Sequence, residues 1–342
     1  MNSAKVIFQE RDVSAYFLGV DIGGTKSHAL IADASGWAVG FGEAGPGNYE
    51  DVGYDGLAAT LAVVTQRALA DAGITKEQIA GAGFGIAGYD WPSQREPHLA
   101  AIRPLGLDHA PFELVNDTII GLLTGAPSGW GIAVIAGTRA NCWGWDQNRR
   151  IGRLTGYGWR MAEVAGGLEL VGKAVQSVAL AWTRRGPATR LTQAFIEWTG
   201  ARDIEDLLEG LSLERLQVDA SAAPLVFQAA AKGDLVAQDI ILWAGRELGS
   251  LAIGVIRQLN FEALEFDAVL VGSLYKGSPL LVEAMRQTVY TVAPGARFTS
   301  LSAPPVVGGV LLGMEQAGLN APTLRETLIQ SSMELLSTRS IS

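Results

Sequence analysis

The chain has 342 residues, 48% hydrophobic and 18% charged, which is enough apolar content for two packed domains and too much for a disordered chain. Its formal net charge of -9 argues against a broad nucleic-acid or polybasic membrane surface, although backbone amides can still bind a phosphate locally. The single cysteine, Cys142, excludes an internal disulfide framework and a Cys-based zinc site, and His28, His98 and His109 form no helical pair at metal-ligand spacing.

In chain order, the nearly all-apolar run 16–22 predicts a strand buried on both faces. Gly23-Gly24-Thr25 predicts a turn, followed by strands at 27–33 and 37–44, a β-meander. A loop at Pro46-Gly47-Asn48 leads to a helix over 54–72, whose apolar residues recur at helical spacing and whose C-cap is Gly73. A strand at 80–86, a loop from Gly88 to Ser93, a helix near 94–103, a strand at 112–116 and a helix from Asp117 complete an α/β lobe. The pattern then restarts. Residues 131–136 form an apolar strand ending in Gly137-Thr138, with returning strands at 141–145 and 150–154 and a mostly helical stretch over 166–259. A strand at 267–271, a helix at 279–292 and a Gly-rich helix start near Gly308-Gly309 close the second lobe, and an amphipathic helix over about 323–337 packs back on the first. The expected division is an N-terminal extension at 1–15, a first lobe at 16–125 and a second at 126–322, with one glycine turn from each lobe on a shared cleft. Apolar runs such as 130–136 and 268–272 are too short to span a bilayer, and residues 1–14 lack the apolar core of a signal peptide, so the cytoplasm is the expected location.

Two constellations carry chemistry. In Asp21-Ile22-Gly23-Gly24-Thr25-Lys26 a buried strand delivers a carboxylate to its end, and two glycines let backbone amides approach phosphate oxygens. An Asp at that edge can hold a Mg²⁺-bound water. The same residues also suit an ordinary hairpin turn. In Val115-Asn116-Asp117 the strand-to-helix junction could present Asp117 as a base to a substrate hydroxyl, or could simply cap the helix.

Taken in order, these segments resemble the N-acetylglucosamine kinase and BadF/BadG-type ATPase branch of the actin-like ATPase superfamily. The resemblance is carried by Gly19-Val20-Asp21-Ile22-Gly23-Gly24-Thr25-Lys26, Gly45-Pro46-Gly47-Asn48, Gly85-Ile86-Ala87-Gly88 and Val115-Asn116-Asp117. It continues through Ile135-Ala136-Gly137-Thr138, Val269-Leu270-Val271-Gly272-Ser273-Leu274 and Pro305-Val306-Val307-Gly308-Gly309-Val310, and so spans about residues 16–316. It implies an α/β fold of two ribonuclease-H-like lobes around a nucleotide and substrate cleft. It also implies ATP and Mg²⁺ as cofactors, a sugar as acceptor and a possible homodimer. By the same resemblance Asp21 is the magnesium-associated carboxylate, and Gly23, Gly24 and Thr25, with Lys26 within reach, contact the β- and γ-phosphates. Asn48, Asn116 and Glu163 face the sugar, and Asp117 is the base. Gly137, Thr138 and Arg139 form the second phosphate loop, and Gly272 and Ser273 lie along the adenosine.

The chain also departs from that pattern. Where the family's second phosphate loop reads Gly-Thr-Gly-Ser, this chain has Gly137-Thr138-Arg139-Ala140. Where the family reads Gly-Asp-Glu-Gly-Ser, this chain has Ala162-Glu163-Val164-Ala165-Gly166. Arg139 either adds a guanidinium for the γ-phosphate or marks a site that binds without turnover. The expected activity is ATP-dependent phosphorylation of N-acetylglucosamine or a related amino sugar, with a catalytically altered binding protein of the same fold as the alternative. An ATP-driven electron activator is excluded, because one cysteine per chain gives a dimer two ligands where a bridging 4Fe–4S cluster takes four.

Overall fold

The nearly all-apolar segment Tyr16–Ile22 forms the central strand, β1, of a five-stranded sheet, and only Tyr16 and Asp21 of the strand escape full burial. The computed structural model describes residues 15–339, so the expected N-terminal extension lies outside the described residues except for Ala15. β2 (Ser27–Asp33) and β3 (Ala38–Ala44) return antiparallel, as the meander predicts. α1 (Tyr49–Ala72) follows. It begins earlier than the expected 54–72 because a first turn precedes Gly53, whose φ of 71° and ψ of 172° kink the helix where the apolar periodicity starts. β4 (Ile79–Ile86), α2 (Arg95–Ile102), β5 (Phe112–Val115) and α3 (Asp117–Gly125) follow in turn, with β4 parallel to both β1 and β5.

The second sheet comprises β6 (Gly131–Ala136), β7 (Ala140–Trp145) and β8 (Ile151–Arg153), then β9 (Phe266–Val271) and β10 (Ala296–Ser300) after the helical stretch. That stretch holds α4 (Gly167–Trp182), α5 (Leu191–Thr199), α6 (Ile204–Ser212), α7 (Ala223–Ala231) and α8 (Leu235–Leu259), while α9 (Pro279–Tyr290) joins β9 to β10. The spatial orders are β3-β2-β1-β4-β5 and β8-β7-β6-β9-β10, so the two sheets share one topology: an antiparallel meander with two parallel strands added beside its first strand. β10 escapes the sequence reading because it is a five-residue edge strand, buried only at Ala296. Cys142 is fully buried on β7, where burial pushes its thiol up.

The described residues fall into two compact units, one running to Ile120 and resuming at Ala303, the other spanning Gly121–Ser302. This corrects the expected second lobe of 126–322. The Gly-rich helix α10 (Val306–Gln316) belongs with the first sheet and packs on β1 and β4. The reason is steric. A Cβ on Gly19 of β1 would lie 2.5 Å from the Val306 carbonyl oxygen and 2.8 Å from the Gly309 carbonyl carbon, so strand and helix approach backbone to backbone. α11 (Ala321–Arg339) packs on α10 and β3 through Ala321, Leu324, Leu328 and Leu335, as the amphipathic pattern predicts, with Ser331 and Ser332 buried among them. The buried Ser331 hydroxyl accepts from the Ala38 amide (3.0 Å) and donates to the Gly36 carbonyl (3.2 Å), and Arg339 pairs with Asp71.

Candidate active site

In the first unit the parallel strands end in register. Ile22 of β1 faces Ile86 of β4, and Gly85 faces Val115 of β5, so residues 23–26, 87–91 and 116–117 leave the sheet along one edge. Ligands of open α/β sheets bind at such carboxyl ends. The turn after β1 is a hairpin closed by the Gly23 amide on the Lys26 carbonyl (3.1 Å), so the hairpin and phosphate-loop readings describe the same residues. A Cβ on Gly23 would strike that carbonyl oxygen at 2.7 Å, whereas one on Gly24 would meet only Asp51 Oδ2, at 3.9 Å. Gly23 is therefore required by the turn itself, and Gly24 leaves open space above the backbone. Lys26 and Thr25 are exposed beside it. Two further bonds gather neighbouring segments here: the Gly47 amide donates to the Gly23 carbonyl (3.0 Å), and the Ala87 amide donates to the Ile22 carbonyl (2.9 Å).

Asn48 is buried next to this turn as the N-cap of α1, its Oδ1 accepting from the Glu50 amide at 3.1 Å. At the β5–α3 junction the helix cap is Asn116, whose Oδ1 accepts from the Thr118 amide at 3.0 Å. Asp117 stands next to the cap, and its carboxyl accepts from the Thr118 hydroxyl (3.5 Å) and from the Thr118 and Asp117 amides. Burial lifts the Asp117 carboxyl to about 6, against the hydrogen bonds that favour its ionised form. Asp21, at the end of β1, is pushed to about 8, first by burial and then by the charge of Asp117. The two carboxyls therefore ionise in sequence, Asp117 first and Asp21 against it. His28, opposite Asp21 on β2, lies 4.0 Å from it and 3.3 Å from Glu43. Burial lowers the His28 imidazole, with Glu43 opposing.

The chemistry of this donor set fits a magnesium ion. Asp21 and Asp117 are neighbouring, partly buried carboxyls, and a divalent cation beside them would favour the ionised form of Asp21 that burial and the charge of Asp117 oppose. Among the described residues no group of three His, Cys, Asp or Glu side chains is placed to hold a metal ion.

In the second unit, β6 and β9 also end in register, Ile135 facing Val271, which sets Gly137-Thr138 beside Gly272-Ser273. Gly272 has φ 115° and lies against Ala136, where a Cβ would meet the Ala136 carbonyl carbon at 2.7 Å. The loop Gly137–Arg139 docks on the start of α4: the Gly167 amide donates to the Gly137 carbonyl (2.8 Å) and the Leu168 amide to the Thr138 carbonyl (3.1 Å). A Cβ on Gly166 would lie 2.6 Å from the Arg139 carbonyl carbon, so the contact needs a glycine there. Nothing lies within 4 Å of a Cβ on Gly137. Burial raises the Glu169 carboxyl, opposed by its own amide and that of Gly166 and, least, by the Arg139 charge. Glu163 is buried, and both its carboxylate oxygens hold backbone, one accepting from the Thr155 amide (2.7 Å) and the other from the Tyr157 amide (3.1 Å). On either side of it Ala162 and Ala165 take φ of 59° and 99°, so two alanines follow a path that suits glycine.

One group is absent from the sequence reading. Asp90, in the loop after β4, is buried and accepts from Asn116 Nδ2 at 3.1 Å. Its amide and that of Trp91 both donate to Gln94 Oε1 (2.8 Å each), and Gln94 Nε2 donates to the Tyr49 hydroxyl at 2.5 Å. The available signal was a lone carboxylate among the apolar and glycine residues of Ala87-Gly88-Tyr89-Asp90-Trp91.

Two sheets of this topology, each ending its first strand in a glycine turn, define an actin-like ATPase fold. Residues 18–313 match the BadF/BadG/BcrA/BcrD ATPase family, and the chain belongs to it. It is 24% identical to the N-acetylmuramic acid/N-acetylglucosamine kinase of Clostridium acetobutylicum over 88% of this chain and 99% of that protein. It is 25% identical to the N-acetyl-D-glucosamine kinase of Dictyostelium discoideum over 87% of this chain and 97% of that protein. Among solved structures it is similar to a candidate N-acetylglucosamine kinase of Chromobacterium violaceum, with a TM-score of 0.63 at 21% identity, covering 87% of this chain and 99% of that one. No helix among the described residues is long and apolar enough to cross a membrane.

Proposed function

We propose that this protein is an ATP-dependent kinase that phosphorylates a hydroxyl of N-acetylglucosamine or a related amino sugar. The observation that carries the reading is the pair Asp21 and Asp117 at the carboxyl edge of the first sheet, two partly buried carboxyls near enough for the charge of Asp117 to act on Asp21. Asp117, raised to about 6, is suited to accept the proton of an acceptor hydroxyl near neutral pH. Mg²⁺ would be held by Asp21, largely through water, and would neutralise phosphate charge. Gly23, Gly24 and Thr25 offer amides and a hydroxyl to nucleotide phosphate, with Lys26 exposed beside them. In the second unit Gly137, Thr138 and Arg139 would take phosphate, and Gly272 and Ser273 would line the nucleoside. Asn48 would meet the sugar, and Asn116 would offer it the second lone pair of Oδ1. Glu163 serves mainly by holding its own loop, since both oxygens already accept backbone amides.

The names of the relatives support the substrate class. The test is ADP release by the purified full chain with ATP, Mg²⁺ and a panel of hexoses and N-acetylated amino sugars. Release stimulated by an amino sugar is expected, and no sugar-stimulated release across the panel would remove the reading.

The second reading is a sugar- or nucleotide-binding protein of the same fold without turnover. The left-handed backbone of Ala162 and Ala165 around Glu163 is the observation that favours it. Calorimetry that finds sugar binding but no Mg-ATP binding would select it.

A further inference from the structure

The buried carboxylate left unassigned by the site above is Asp90. It stands in the loop between β4 and α2, beside the β5–α3 junction, where its Oδ1 accepts from Asn116 Nδ2. The Asn116 amide is fully specified by its surroundings. Nδ2 donates to Asp90 Oδ1 (3.1 Å) and to the Tyr89 carbonyl (3.3 Å), while Oδ1 accepts from the Thr118 amide (3.0 Å). Turned over, the amide would set its NH₂ against the Thr118 N–H and its oxygen against two acceptors. Asp90 and Tyr89 therefore decide which end of the amide caps α3. That choice reaches the next residue: Asp117 occupies the first helical position, and its carboxyl meets the same Thr118 amide that Asn116 Oδ1 caps, so the set of the Asn116 amide bears on where the Asp117 carboxyl lies. Asp90 is itself held by its amide on Gln94, which bonds Tyr49 beside Asn48. Residue 90 is thus tied to the start of α3 by its carboxylate and, through its backbone amide and Gln94, to Tyr49 at the start of α1.

We propose that Asp90 is a positioning residue of the transfer reaction: by orienting the Asn116 amide it fixes the cap of α3 and, through it, the aim of the Asp117 carboxylate at the acceptor hydroxyl. The proposal rests on the kinase reading above. Asp90 acts through Asn116, so its loss changes the rate of transfer more than the binding of either substrate. Misplacement of a reacting group by about 1 Å costs roughly 10²-fold in rate.

The experiment compares wild type, Asp90→Asn and Asp90→Ala as full-length proteins, by steady-state kinetics with Mg-ATP and N-acetylglucosamine and by hydrogen exchange of the Thr118 amide without substrate. Asp90→Asn keeps an acceptor oxygen for Asn116, and it is expected to hold kcat within about threefold of wild type. Asp90→Ala is expected to lose roughly 10²-fold in kcat with the Mg-ATP KM within about twofold and the sugar KM raised by far less than kcat falls, and to speed Thr118 exchange about tenfold or more. A kcat near wild type in Asp90→Ala, an Asp90→Asn as slow as Asp90→Ala, or a loss carried by KM would each overturn the proposal. Should Asp90→Ala fail to fold, a polarity swap carries the test. Asn116→Asp alone opposes two carboxylates, and adding Asp90→Asn restores a donor to the pair, so the double variant is expected to be faster than Asn116→Asp. A double variant no faster refutes the link. A wild type without sugar-dependent transfer would fail the kinase reading on its own account. Thr118 exchange would still decide the tie between Asp90 and the helix cap, and unchanged exchange in Asp90→Ala would refute it.

Discussion

Asp21→Asn is expected to stabilise the ligand-free protein while removing its response to Mg-ATP, and the gain should depend on pH in a defined way. Asp21 ionises at 3.8 in an ordinary aspartate and at about 8 in this fold, driven first by burial and then by Asp117. Between those values the folded protein binds nearly one proton more than the unfolded chain. Stability from this group is therefore fully present below pH 3.8 and is lost as pH rises towards 8. Each pH unit in that window is worth about 1.4 kcal/mol. From pH 5 to pH 8 the wild type should thus lose roughly 3 kcal/mol that Asp21→Asn does not lose, because an amide has no proton to give up. Urea unfolding of both proteins at the two pH values reads this directly, as a stability difference that widens towards pH 8. The same displaced proton appears on binding: at pH 7 Mg-ATP should release about 0.9 protons from Asp21 in the wild type, measured by calorimetry in buffers of different ionisation enthalpy. A stability difference constant across pH, together with equal proton release by both proteins, would refute the argument that Asp21 is held neutral until a cation arrives.

Asp117→Asn should lower kcat by about 10²- to 10⁴-fold, the usual contribution of a positioned general base, with little change in sugar KM. In the wild type kcat/KM should rise as pH increases through about 6, where Asp117 loses its proton, and that acid limb should be missing from the residual activity of the variant. Gly166→Ala places a Cβ 2.6 Å from the Arg139 carbonyl carbon, and by forcing the loop off α4 it should cost about 1–3 kcal/mol and weaken Mg-ATP binding, as read by thermal unfolding with and without nucleotide. Ala165→Gly relieves an alanine at φ 99° and should raise stability by about 1 kcal/mol, the relief of strain exceeding the entropy of the added glycine; a destabilised variant would show that the alanine is unstrained.

Much of the fold was legible because its signals are local. The apolar run 16–22, the two meanders and the glycine turns after β1 and β6 are each written within a few consecutive residues, and their repetition announces two like sheets. The helix start at 54 was also readable, since the kink at Gly53 is where the periodic face begins. The candidate site was legible as far as residue type at a strand end carries it. Asp21, Asn116 and Asp117 stand out as polar groups closing apolar strands, yet sequence could not say which of Asn116 and Asp117 caps α3. That choice is made by Asp90 and Tyr89, which reach the junction from a loop 26 residues or more away.

By itself the sequence determined every strand but β10, the turns and the kind of chemistry that a carboxylate beside a glycine turn can support, because backbone propensity and burial pattern act over short spans. Only the tertiary structure decided that α10 belongs with the first sheet, since a backbone-to-backbone contact between Gly19 and Gly309 joins residues far apart in the chain. It likewise decided that Asp21 and Asp117 share one buried edge and shift each other's protons. A carboxyl's charge is governed by the solvent it loses and the charges it meets, and both are properties of the packed molecule.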